Sequence, residues 1–422
     1  MLKRLASRFE ASFPTEARQW RKVGREAEHP LVRADGSAAD LGPLWPRLAE
    51  GGRFEATYEG ALQTGLAGER FTYSSEVGKG TVEIIVGPHE DLHGTRAAYE
   101  EAMAGLLRAT EGEDVAVLGY GIQPLTPPTP ALMTPKRRYL VLYDVLGESW
   151  LYFALTASDQ VHAEVSLGEM LAQCNLANAL SAVTIALCAN SPIYAGAPSG
   201  FMSAREGSMG TIRAEEHRHG MPLEPWRSAL HIVETLADLP FLMSRRGAEC
   251  NPVGDLFRRH LETGVSTEDE AWLDFLVHDH YMWHSARLRT AHATVELRSA
   301  CQQPPDEHMA ACALGFAMVC AGAELSAYLD EALGEGAWAA LSRYRDAVVR
   351  EGLAAREPAP GFLLGVLNRC EAALAARGRG EEVYLGPLYR RLEAQENPAQ
   401  RVLKIFAQSG PTALVEALSW KR

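Results

Sequence analysis

The sequence predicts an α+β fold, an antiparallel sheet with helices on one face, closed by a helical C-terminal region. Three observations carry that expectation. Short β-type runs separated by helical patterns occupy the first 300 residues, and residues 305–422 are Ala- and Leu-rich with apolar positions at helical spacing. Neither G-x-G-x-x-G nor G-x-x-x-x-G-K-[ST], the phosphate loops of parallel nucleotide-binding sheets, occurs anywhere. Strands first and helices last suit antiparallel pairing better than a βαβ series.

Taken in order, residues 1–22 read as an amphipathic helix, and "VGREAEHPLVRADG" as a strand followed by a turn. The stretch "ERFTYSSEVGKGTVEIIVGP" is a β-hairpin turning at Gly78 and Gly80 and ended by Pro88. A helix follows from about Leu92 to Leu107, then a strand in "VAVLGYGIQP". Four prolines make "LTPPTPALMTP" a loop. "WLYFALTASDQVHAEVSL" alternates like a strand, a long helix covers about Leu167 to Cys188, and "ANSPIYAGAPSGF" is a Gly/Pro loop. Residues 223–276 are helical with breaks, and "TVELRSACQQPP" is the last strand. The expected organisation is one domain over 1–330, with 331–422 as a helical region packed on it.

Composition sets limits on partners. The chain has 422 residues, a net charge of −13 and 47% hydrophobic residues, ordinary for a soluble globular protein. Its acidic balance argues against nucleic acid, which needs concentrated Lys and Arg. The apolar run "LANALSAVTIALCAN" is too short to span a bilayer, and Glu10 and Glu16 count against an N-terminal import signal. Cysteines 174, 188, 250, 301, 312, 320 and 370 form no C-x-x-C pair and read as free thiols in a reducing compartment. A cytoplasmic protein is expected.

The polar residues on strands are more informative. Alternation places Glu296 and Arg298 on one face of "ATVELRSACQQP". Glu26 and Glu28 share a strand face in the same way, as do Gln160 and His162, while Glu76 and Glu83 flank the hairpin turn. Any one of these alone reads as an exposed acid on a half-solvated sheet. Five carboxylates gathered on one concave face would need cations, since desolvating each costs about several kcal/mol. Mg²⁺ takes hard oxygen ligands and bridges carboxylates to nucleotide phosphates. Arg205, Arg213, Arg287, Arg289 and Arg298 are the candidate basic partners, because guanidinium forks onto phosphate or carboxylate. For "RLR" at 287–289, surface pairing is the alternative. Histidines in "EEHRHG" and "HDHYMWH" fit no closed zinc set.

In order and context these motifs resemble the glutamate–cysteine ligase family, especially its plant and actinobacterial branch, and the wider carboxylate–amine ligases. "VGREAEHPLV" looks like the family's G-x-E-x-E strand, and "SSEVGKGTVEIIVGPHEDLHGT" is similar to its second acidic hairpin. "LGYGIQP" resembles the next strand, "PKRRY" the basic loop after it, and "LTASDQVHAEVSL" the T-x-x-x-Q/H-V-N/H strand. "NSPIYAGAPSGFMSAREGSMG" with "RHGMP" resembles the N-S-P, S-x-R and R-x-G-x-P loop, and "DHYMWHSARLRTAHATVELRSACQQP" the closing R-x-R … E-x-R strand pair. The likeness spans roughly residues 20 to 330.

That resemblance implies a curved, glutamine-synthetase-like antiparallel sheet with helices on its outer face and ATP and Mg²⁺ on its concave face. It implies ATP-dependent amide formation through an acyl phosphate, with glutamate and cysteine as substrates giving γ-glutamylcysteine. Carried over by position, Glu26, Glu28, Glu76, Glu83 and Glu296 would be metal ligands or their neighbours. Gln160, His162, Arg289 and Arg298 would bind nucleotide. Arg205, Arg287 and Arg298 would hold phosphate or the acidic substrate. "LTPPTPALMTPKRR" and "AGAPSGFMSAREGSMG" are candidate lids. Small-molecule amino acids are the expected partners, with no nucleic acid or membrane, and the chain a monomer or homodimer. Three departures bear on the substrate: the Glu76 to Glu83 spacing is one residue longer than in the plant pattern, "EGSMG" follows Arg205 where an aromatic is usual, and Asp159 precedes Gln160 where a neutral residue is more usual. Alternatives are a ligase of specialised metabolism joining an amino acid to another amine, peptide or carrier, or a non-catalytic nucleotide-binding relative.

Overall fold

Alternation along the chain becomes two-sidedness in space. The structure, a computed structural model, describes every residue except 51 and 422. Among the described residues the main sheet has nine strands. They are β1 (Val23–Val32), β2 (Glu55–Glu59), β3 (Leu62–Ala67), β4 (Phe71–Ser75), β5 (Thr81–His89), β6 (Ala116–Val117), β7 (Asp159–Glu164), β8 (Ala286–Arg289) and β9 (Thr294–Leu297). Their order is β8-β9-β7-β1-β5-β4-β3-β2, with β6 added to β1, and every pairing is antiparallel.

One face is apolar. Val23 and Ala27 of β1, Val82, Ile84 and Val86 of β5, Val161 and Ala163 of β7, Ala286 and Leu288 of β8, and Val295 and Leu297 of β9 are all buried. The helix Leu92–Ala109 covers β5 and β1, while Met170–Ala179 and Ala310–Cys320 cover β7, β8 and β9. Behind them Phe362–Ala376 packs on Ala310–Cys320, and Ala337–Glu351 on Ser181–Cys188, in one continuous core. All seven cysteines are free thiols, six of them buried. Among the described residues no single helix is long and apolar enough to cross a membrane.

Among the described residues the apolar face of the sheet holds an ion pair. Arg25 and Asp159, both fully buried, meet fork to fork at 2.7 and 2.9 Å. The guanidinium also lies 4.1 Å over the Tyr99 ring and donates to the His308 carbonyl. Asp159→Ala would strand that charge in an apolar layer, so we expect a loss of about 3–5 kcal/mol, read by urea denaturation.

Several expected elements take a different form. The first helix stops at Ala11, before Pro14, so residues 12–22 are not helical. Residues 147–154 form a 3₁₀-helix, and the strand begins only at Asp159. Trp150 and Phe153 there pack on Trp283 instead of standing on a pleat. The basic segment "PKRRY" is no loop, because Arg137 opens a helix to Leu146. The long helix at 167–188 is two, Met170–Ala179 and Ser181–Cys188, bent by 43°. Pro88 lies inside β5, and "VAVLGYGIQP" pairs as a strand only at Ala116–Val117. Within 223–276 a hairpin, Met243–Arg246 with Glu249–Pro252, turns at Gly247, whose φ is +61°.

Candidate active site

The opposite face of the same strands carries the polar side chains. Register brings Glu28 opposite Glu83, Glu26 opposite Gln160, and Glu296 opposite both His162 and Arg287. Together with Glu76, Arg205, Arg289 and Arg298 most of them line a cavity of about 250 Å³. His162 lines an adjoining one of about 190 Å³, which it shares with Glu26. Arg213 is elsewhere, paired with Glu216 at 2.7 Å.

The carboxylates fall into two groups of different character. In the first, Glu26, His162 and Glu296 bring one ligand atom each within 4.8 Å of one another. Glu296 is 1% exposed and is bracketed by cations. Arg287 binds it at 2.5 and 3.3 Å, Arg298 donates to it, and Arg289 lies at 3.5 Å. Burial opposes its ionisation, but those three guanidiniums hold its carboxyl well below the ordinary range. Glu26 is likewise opposed by burial and held low by His162, whose ring nitrogen is 3.1 Å away. The other His162 nitrogen lies 3.2 Å from Thr294 Oγ1. Burial works against the imidazolium, and Glu26 more than offsets it, raising the His162 pKa.

The second group is oxygen only. Glu28, Glu76 and Glu83 bring carboxylate oxygens within 4.8 Å of one another. Glu28 accepts from the Ser158 amide at 2.6 Å and from Gln160 at 3.1 Å. Burial, and after it the Glu76 charge, pushes its carboxyl up to about 7. Burial and the same neighbour push Glu83 well above the ordinary range. Lys136, the nearby ammonium, is turned onto the Ser75 carbonyl and is itself lowered to about 8 by burial. Three acids compressed together without a full counter-charge fit a hard divalent cation such as Mg²⁺. The five carboxylates expected as metal ligands or their neighbours thus separate into one trio short of positive charge and a balanced pair.

Gln160 links the groups, donating to Glu28 and accepting from Arg298. Arg205 is buried and paired with Glu206, with its Nε unpartnered. The sequence reading missed Ser158, Arg138, Tyr139, His280 and Tyr281, which also line the cavity. The run of three bases after Pro135 is a signal for Arg138. His280 and Tyr281 stand just ahead of "RLR", in the segment that resembles the closing strand pair, where only the arginines and Glu296 are singled out. A cavity with an acidic trio at one side and guanidiniums at the other can hold a polyanion bridged by a cation.

The chain resembles known proteins both in sequence and in fold. Residues 55–417 match glutamate-cysteine ligase family 2 (GCS2), a span that begins after Glu26 and Glu28. The chain is 31% identical over 170 residues to the chloroplastic glutamate–cysteine ligase of Brassica juncea, covering 39% of this chain and 33% of that one. It is 31% identical over 163 residues to the Arabidopsis thaliana counterpart, covering 37% and 31%. The chain thus matches about a third of the length of these plant relatives. In fold it is similar to a glutamate–cysteine ligase from Francisella tularensis solved with AMP, with TM-score 0.59 and 12% identity, covering 96% of this chain and 88% of that one. It is also similar to a bifunctional glutathione synthetase from Pasteurella multocida, with TM-score 0.60 and 14% identity, covering 98% and 52%.

Proposed function

We propose, since this chain belongs to glutamate-cysteine ligase family 2, that it is an ATP- and Mg²⁺-dependent ligase joining glutamate to cysteine as γ-glutamylcysteine. The observation that carries the reading is the division of one cavity into an under-compensated trio, Glu28, Glu76 and Glu83, and the arginine-bracketed Glu296. On this reading the sheet is glutamine-synthetase-like and its carboxylate-bearing side is the concave, nucleotide-binding face.

Two bond exchanges make up the reaction. A γ-carboxylate oxygen of glutamate attacks the γ-phosphorus of ATP, and ADP leaves. The cysteine nitrogen then attacks the acyl carbon, the bond to phosphate breaks with its electron pair on oxygen, and the nitrogen loses a proton. Mg²⁺ held by Glu28, Glu76 and Glu83 would neutralise phosphate charge. Carboxylate and triphosphate repel, so the chain's main task is positioning and charge stabilisation. Arg298 and Arg287 present guanidiniums on the cavity wall, fixed in place by Glu296 and by Gln160. Arg289, whose Nε lies 3.5 Å from Glu296, lines the same cavity and on this reading would face a phosphate oxygen. Arg205 offers its unpartnered Nε to the acidic substrate. Acyl phosphates hydrolyse, and the segments carrying Arg138 with Tyr139, and Arg205 with Met209, supply wall residues that shield the centre.

Purified protein with Mg-ATP and glutamate is expected to release ADP in a cysteine-dependent way, with the dipeptide seen by mass. ADP release that requires a different acid or amine would move the chain to a specialised ligase. No release with any pair would overturn the enzymatic reading.

A further inference from the structure

The catalytic cavity opens onto a second chamber. Arg138, His280 and Tyr281 line both. The second chamber measures about 470 Å³, against about 250 Å³ for the first. It lies between the hairpin Met243–Pro252 and the helix Glu268–His280, open to solvent on one side, and its lining is largely apolar: Met243, Leu273, Leu276, Val277 and Tyr281. Leu273 keeps 51% of its surface exposed there, on a wall with room for a further apolar group.

Charge at the junction points to an anion. Arg246 is bound to Asp274 at 2.5 and 2.8 Å. Arg245 donates Nε to the Gly247 carbonyl, and Arg138 donates to the Tyr139 hydroxyl and lies 4.8 Å over that ring. Among the described residues neither Arg138 nor Arg245 forms an ion pair, and the buried Nε of Arg138 has no hydrogen-bond partner. The chain has 54 acids to 41 bases, so a guanidinium at the neck between two cavities with no acid in ion-pair contact, and only Glu76 acting on it from further off, is notable. It suits a carboxylate brought by a ligand.

Cysteine, with a one-atom side-chain head beyond Cβ, would leave this chamber empty. We propose that the second chamber holds the side chain of the amine substrate, with its α-carboxylate on Arg138, so that the chain accepts α-amino acids larger and more apolar than cysteine, such as leucine or methionine. The inference rests on the ligase reading for its chemistry and on the chamber alone for its binding. In this pose the amino nitrogen points through the neck past Tyr281 to the acyl phosphate. Each added methylene in an apolar pocket shifts selection by roughly tenfold.

The test uses the full-length chain in two arms. With Mg-ATP and glutamate, leucine and methionine are each expected to give a γ-glutamyl product by mass, beside cysteine. Without ATP, calorimetry is expected to show leucine binding to the wild type, weakened at least about tenfold in Leu273→Trp, which fills the chamber from a half-exposed position. Leu273→Ser, which removes apolar wall without adding bulk, should weaken it in the same direction. Ligation of cysteine with no binding or reaction of leucine would overturn the inference and leave the ligase reading intact. Leucine binding that both variants weaken, without ligation of any amine, would keep the chamber as an amino-acid site and overturn the ligase reading. Equal leucine binding by wild type and both variants would overturn the inference.

Discussion

Glu83→Gln is expected to lower kcat by about 10³-fold while raising the Tm of the metal-free protein at pH 8. The two effects share a cause. Glu83 sits among Glu28 and Glu76 with oxygens within 4.8 Å, and burial and Glu76 together push its carboxyl well above the ordinary range. A neutral amide removes that repulsion from the metal-free protein and one oxygen ligand from the loaded one. The pH dependence follows from Glu28, lifted from 4.5 to about 7 by burial first and Glu76 second. Between those values the folded chain holds a proton that the unfolded chain has released. Metal-free stability therefore falls as pH rises through that window, by at most about 3 kcal/mol from this group. MgCl₂ should accordingly raise Tm more at pH 8 than at pH 5, because protons compete for the same oxygens. Thermal melts in EDTA and in MgCl₂ read this without any turnover. A Glu83→Gln variant with wild-type kcat would remove the trio from the chemistry.

Glu296→Gln should also abolish turnover, but with the opposite effect on stability. Its carboxylate is the shared counter-charge for Arg287, Arg298 and Arg289. Without it three guanidiniums face one another at a nearly dry site, and we expect a loss of about 3–5 kcal/mol, measured by denaturant titration. Arg287→Met in the same background should recover part of that loss and none of the activity. The same Glu-to-Gln change thus stabilises the apo chain at one position and destabilises it at another. If Glu296→Gln unfolds at the wild-type midpoint, the hub assignment is wrong.

Much of the site was legible because strand alternation has only one period to read. It paired Glu26 with Glu28, Gln160 with His162 and Glu296 with Arg298, and all six lie on the polar face. What alternation cannot supply is pairing across strands. Arg287 reaches Glu296 only because β8 and β9 meet in that register, and the spacing of "RLR" from "VEL" is equally compatible with a surface pair. Asp159 looked anomalous for a related reason. Its partner Arg25 is on a neighbouring strand 134 positions away, on the face that alternation marks as apolar. The sequence places Arg138 in a loop, but the segment is a helix, which turns its side chain into the neck between two cavities. The 3₁₀-helix at Gly147–Ala154 escaped because its aromatics have the β preference that the local pattern rewards, and only the contact of Trp150 and Phe153 with Trp283 decides against it.

The two-sided sheet has a consequence for how such a chain can change over time. Along β7 and β9 one step in the sequence moves a substitution from the helix-covered side to the charged side. Variation at Val161, Ala163 or Val295 then touches the packing alone, while variation at Gln160, His162 or Glu296 touches the charge network, and at Glu296 the stability that network carries as well. Selection on packing and selection on the charged face can thus act on adjacent codons, and Arg25 with Asp159 is the place where a charge has crossed to the scaffold's side.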